Sequence, residues 1–126
     1  QLLAGQDRRE MAHSMLPLLS FEELASLQQQ VQAVHASEAL INYVQDLIAA
    51  TRSGQWFLQG LSPRAGIALV RAAKAQALIC GRDYVAPDDV QAIVAQTIAH
   101  RLVPVGDAGR GAVEQVHAMV RAVPLP

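Results

Sequence analysis

The sequence predicts an all-α protein, a compact bundle of five to six helices. Three observations point there. Hydrophobic residues make up 52% of the 126 positions while aromatics make up only 4%, so Leu, Ala, Val and Ile fill the interior. That composition suits packed helices better than a β-sandwich. Apolar residues recur at spacings of three and four, as in Leu40, Ile41, Val44, Leu47 and Ile48, which places them on one helical face. Ser, Pro and acidic residues stand ahead of such runs, the punctuation of helix starts.

Taken in order, Gln6 to Met15 reads as a short helix that ends before Pro17. "LSFEEL" opens the next. Ser20 can cap it, Glu23 can return a bond to the Ser20 amide, and Leu19 and Leu24 stand where a hydrophobic staple packs. This helix runs to about Val31. "AVHAS" reads as extended, and Ser37 then caps a third helix with Glu38 in its first turn. Gly54 is its stop signal. A fourth helix starts at Ser62-Pro63, with Ser as cap and Pro at the first helical position. It continues to about Ile79, and Gly81 takes the left-handed terminal conformation. Pro87 opens a fifth helix, with Asp88 and Asp89 favourable to its dipole and Ala86 a poor cap; it reaches about His100. "RLVP" can form a short strand that pairs with "AVHA", the one two-stranded β pairing the sequence allows. "GDAGRG" is a flexible loop, and Gly111 to Ala122 is the last helix.

Ten basic and eleven acidic residues leave a net charge of −1. No broad field exists to gather nucleic acid or an anionic membrane, so any anion contact must be local. The longest apolar run, Ala65 to Cys80, contains Arg71 and Lys74, which opposes a membrane span. A single cysteine, Cys80, forbids an intrachain disulfide and agrees with a cytoplasmic setting; no signal peptide is visible. The chain begins at Gln1 and ends on "VPLP", as expected of a piece of a longer polypeptide.

Few residues carry chemistry. His13, His35, His100 and His117 have no Cys or His at metal-ligand spacing, so no metal site is expected. Cys80 reads as a small apolar filler near a helix end. Glu22-Glu23 and Asp88-Asp89 are explained by helix dipoles. The glycines of "GDAGRG" lack the Lys-Ser/Thr of a phosphate-binding loop. Arg8 and Arg9 read as a solvated helix face or a partner surface. Arg64 is the exception. In "QGLSPRAGIAL" it stands where a helix begins, against the positive end of the dipole, at a local cost of about 0.3–1 kcal/mol. It is either a surface arginine with no special role or part of an anion site. In the second case the dipole, the free amides of the first turn and a bidentate guanidinium hold a phosphate together.

Residues 60 to 102, "GLSPRAGIALVRAAKAQALICGRDYVAPDDVQAIVAQTIAHRL", resemble the C-terminal lid of MoxR-type AAA+ ATPases. Those lids are similar in carrying "G-A-S-P-R-A", an Ala/Leu-rich helix ending in "G-R-x-Y-V", then "P-[DE]-D-V" and "H-R-[LI]". The upstream segments "LLSFEELASLQQQVQAV" and "VHASEALINYVQDLIAATR" and the closing "VPLP" are similar to the family as well. Leu61 departs from its pattern where Ala is common, Gly66 where Ala would favour the helix, Ala86 where Thr or Ser is usual, and "GDAGRG" is short for its linker.

The resemblance implies that residues 1–126 are a lid whose P-loop α/β domain lies elsewhere in the protein. It implies that Arg64 is the sensor-2 arginine, reaching the γ-phosphate of ATP, with Ser62 and Pro63 as its support. It also implies Mg²⁺ with the ATP, ring assembly, commonly as a hexamer, and chaperone-like remodelling of client proteins. Partners would be the protein's own core domain, neighbouring subunits and clients, with no nucleic acid and no membrane span. The P-loop lysine and magnesium-binding acids that phosphoryl transfer needs are not in this sequence, so the chain alone is not expected to hydrolyse ATP. The alternative is a stand-alone helical interaction or oligomerisation module without nucleotide binding, which an Ala- and Gln-rich bundle of near-zero charge suits equally.

Overall fold

The computed structural model describes residues 20–106 and 109–126. The expected helix over Gln6–Met15 and the Leu19–Leu24 staple lie outside them. The chain divides into two compact units, Gln1–Gln30 and Val31–Pro126. Among the described residues the order is α1 (Phe21–Ala33), α2 (Glu38–Thr51), α3 (Ala65–Ile79), α4 (Pro87–Ile98), a 3₁₀ turn (Ala99–Arg101) and α5 (Ala112–Ala122). The all-α class is as the sequence predicts.

Serine side chains cap α1 and α2 as expected. The Glu23 amide donates to Ser20 Oγ at 3.1 Å, and the Leu40 amide to Ser37 Oγ at 3.1 Å. Each bond satisfies an amide that the helix itself leaves without a partner. The buried face of α2 is Leu40, Tyr43, Val44, Leu47, Ile48 and Thr51. Ile41, read from spacing as part of that face, is 38% exposed, and Tyr43 is inside instead at 1%. Within Val31–Pro126, α3 and α4 pack most extensively against each other. The reason is the α3 inner face, Ala65, Gly66, Leu69, Ala73 and Ala77, whose small side chains admit close approach by Val90, Val94, Ala95 and Ile98 of α4. Helix α5 lays Val116, Met119 and Val120 into the same core.

The α3 C-terminus closes as the glycine at 81 predicts. Gly81 has φ 78°, its amide donates to Leu78 O and that of Arg82 to Ala77 O, both at 2.9 Å. These are the two bonds of a Schellman motif. Helix α4 has no side-chain cap at Ala86, but its start is held another way. The Asp89 carboxylate accepts from the Ala86 amide at 2.7 Å and from both Arg82 terminal nitrogens at 2.7 and 2.5 Å. Asp89 is buried, so it does more than complement a dipole. Cys80 is exposed rather than packed.

The expected strand pairing does not form. "AVHA" and "RLVP" each make an isolated bridge, but to other partners: His35 runs parallel to Tyr84, and Phe57 antiparallel to Pro104. His35 is bonded both ways to the segment leading into α4, by its amide to Asp83 O and by its carbonyl from the Val85 amide, each at 2.8 Å. Likewise the Leu58 amide donates to Val103 O and the Val105 amide to Trp56 O. Connections on either side of the helices use up these backbone groups, so the two segments never meet. The last helix is tied down too, as buried Gln115 donates to Trp56 O at 3.0 Å.

Candidate functional site

The segment leading into α3 is anchored to the end of α2. Thr51, fully buried, donates its hydroxyl to Ile48 O at 2.5 Å and accepts from the Leu61 amide at 3.0 Å. Arg52 Nη1 donates to Leu61 O at 2.7 Å. Both backbone groups of Leu61 are therefore fixed by two consecutive residues of one helix end. Gly60 makes this approach possible, because a Cβ there would lie 2.5 Å from Arg52 Cα and Thr51 O. Leu61 itself enters the core. Three residues later the chain presents Arg64.

Sequence places Ser62 as cap and Pro63 at the first helical position. The structure shifts the helix start by two residues. Arg64 occupies the cap position with φ −61° and ψ −28°, and no side-chain cap bond is made. The Ser62 contribution is its carbonyl, not its hydroxyl: the Ala65 amide donates to Ser62 O at 3.0 Å. The Gly66 amide donates to Pro63 O at 3.0 Å and the Ile67 amide to Arg64 O at 3.1 Å. These i→i−3 bonds tighten the first turn as a 3₁₀ segment. Their consequence corrects the expectation of free amides at this helix start, since those of residues 65 to 67 already have acceptors. What remains for an anion is the dipole and side chains.

Ser62, Pro63 and Arg64 are all exposed. Ser62 and Arg64 line one surface depression, while Pro63 lines a neighbouring groove with Ile41, Val44 and Ile67. The depression is floored by Ala65, Ile67 and Ala68, and its other polar walls are Arg71 and Arg101. Among the described residues no carboxylate lines it, and the first turn of α3 carries no Asp or Glu. Among the described residues the only ion pair is Arg82–Asp89, so Arg64 is not locked by an internal carboxylate. The Arg82 guanidinium paired with Asp89 holds that carboxyl below the usual carboxylate range; burial opposes this and the Ala86 amide assists. Sequence reasoning missed Arg71 and Arg101 as members of the site. The seven-residue step from Arg64 to Arg71 is a signal that was available, because two helical turns return to nearly the same face. Arg101 arrives from a different element; the "H-R-[LI]" segment marks it along the sequence, but no spacing relates it to Arg64. Among the described residues no group of His, Cys, Asp and Glu could hold a metal.

The geometry is that of a helical unit with an exposed arginine at a helix start, pinned by the preceding helix end. The AAA lid domain family matches residues 49–122, more than half the chain, and the chain belongs to that family. Within it, the chain is a lid of the MoxR type. It is 36% identical over 100 residues to Chaperone MoxR1 of Mycobacterium tuberculosis, covering 72% of this chain and 26% of that protein. It is 37% identical over 106 residues to Protein MoxR of Paracoccus denitrificans, covering 74% and 31%. The protein YeaC of Bacillus subtilis is 36% identical over 101 residues, covering 80% and 32%. A crystal structure of a candidate ATPase from Cytophaga hutchinsonii superposes with a TM-score of 0.70 at 30% identity, covering 78% of this chain and 33% of that one. The chain thus spans a quarter to a third of the length of these relatives.

Proposed function

We propose that this chain is the lid of a MoxR-type AAA+ ATPase in which Arg64 serves as the sensor-2 arginine, touching the γ-phosphate of ATP held by a core domain outside these residues. The observation that carries this function is the exposed Arg64 guanidinium at the α3 start, in a depression that no carboxylate among the described residues lines. Such a group stabilises charge that develops on the transferring phosphoryl oxygens, and it costs little reorganisation because Pro63 and the Thr51–Leu61 anchor fix its backbone. Ser62 and Pro63 support it through their carbonyls, which hold the tightened first turn. The donor set here suits phosphate and not Mg²⁺, so the magnesium that accompanies ATP is assigned to groups outside the described residues.

The lid then acts as a body that swings with nucleotide state and passes that state to neighbouring subunits of a ring and to client proteins. Chaperone MoxR1 carries its role in its name, which favours a chaperone-like action on clients over an isolated interaction module. No helix among the described residues is long and apolar enough to cross a membrane. The test is Arg64→Ala in the full-length protein. Loss of one charge-stabilising donor lowers turnover by about a hundred- to a thousandfold. Wild-type turnover in that variant would support the alternative, a helical interaction module without nucleotide contact.

A further inference from the structure

We propose that Arg101 and Arg71 are further anion-contacting residues of the same site, so that the lid grips a polyphosphate chain with three guanidinium groups rather than one. This rests on the nucleotide-lid function above and extends it to residues that function does not need. The carrying observation is that Arg64, Arg71 and Arg101 line a single depression that no carboxylate among the described residues enters. They come from three places: the α3 start, two turns further along α3, and the 3₁₀ turn that follows α4.

Two physical points make the cluster more than a solvated face. The chain carries eleven acidic residues against ten basic, yet no carboxylate among the described residues lines this concavity. Like charges around one depression repel, and violations of this kind concentrate where a ligand supplies the missing charge. The amides of residues 65 to 67 are also already engaged, which takes three backbone donors of this turn away from a phosphate. Side chains then supply most of the donors, and arginine forks are suited to bidentate phosphate contact. A cation at residue 101 does gain from the negative end of the α4 dipole. That gain accounts for a basic residue in the turn but not for its sharing the depression with two other arginines. Because Arg101 follows α4 while Arg64 begins α3, a polyphosphate held by both also clamps the two helices to one ligand.

The experiment uses the full-length protein with Arg101→Gln, Arg71→Gln and Arg64→Ala variants. It reads the affinity for ATP, ADP and inorganic triphosphate by competition, turnover, and thermal unfolding without nucleotide. Each glutamine variant is expected to weaken triphosphate and ATP binding by about ten- to a hundredfold, the loss of a hydrogen bond to a charged partner. ADP binding falls less, and Arg101→Lys recovers part of the loss. Unfolding without nucleotide stays unchanged or rises as repulsion is removed, which a merely structural arginine would not allow. Wild-type affinity for ATP and triphosphate in both glutamine variants overturns the proposal, as does a loss of affinity matched by a lower unfolding temperature. If Arg64→Ala loses turnover while both glutamine variants bind normally, only this extension fails. If Arg64→Ala keeps turnover, the parent function fails, and triphosphate affinity still decides whether the cluster binds anions.

Discussion

At the scale of single residues, Thr51 has the clearest structural duty. Its hydroxyl is buried and bonded on both sides, to Ile48 O and the Leu61 amide. Thr51→Val keeps the shape and leaves that amide without a partner, at a cost of about 1–3 kcal/mol. Denaturant unfolding of the variant checks this, and wild-type stability would refute the anchor. Asp89 gives a pH prediction. Its carboxyl is held low by Arg82, so its contribution is present above the unfolded-state value, about pH 4. It is lost as pH falls through the lower folded-state value. Thermal unfolding of wild type and Asp89→Asn should differ most near neutral pH and converge below about pH 4. A gap that does not change with pH would contradict the pairing. Arg64 was legible as a residue placed against the dipole. Thr51 and Asp89 were not, because their duties come from contacts with segments ten and seven positions away.

At the scale of elements, helix starts and stops were the most readable features. Ser20, Ser37 and Gly81 behave as local chemistry dictates, since their bonds close within five residues. The α3 start was readable only to within two positions. Ser62-Pro63 does begin a turn, but its tight i→i−3 bonds delay the regular helix to Ala65. The β pairing was misread because both segments have the right propensity, while partner choice depends on where the helices put them. Gly66 offers a test of the α3 packing. A Cβ there would meet Val44 and Ile48 at 3.7 and 3.8 Å, ordinary contact distances. Gly66→Ala should therefore gain about 0.4–1 kcal/mol from helix propensity and a stiffer unfolded chain. Loss of stability in chemical denaturation would mean that α2 and α3 approach more closely than described.

At the scale of the whole molecule, the chain is an AAA lid domain that spans a quarter to a third of the length of the relatives it matches. Its family was legible because the motifs of residues 60 to 102 are ordered along the sequence. The three-arginine depression was not, because it is assembled from two elements 37 positions apart, Arg64 and Arg101. The central claim is that Arg64 acts on nucleotide bound outside this chain. The most direct measurement is ATP turnover at saturating ATP by the full-length protein, with Arg64→Ala and Arg64→Lys beside wild type. The alanine variant should fall by about a hundred- to a thousandfold. The lysine variant should recover only part of that, since an ammonium offers a point charge without the planar fork. Wild-type turnover in Arg64→Ala would contradict the account.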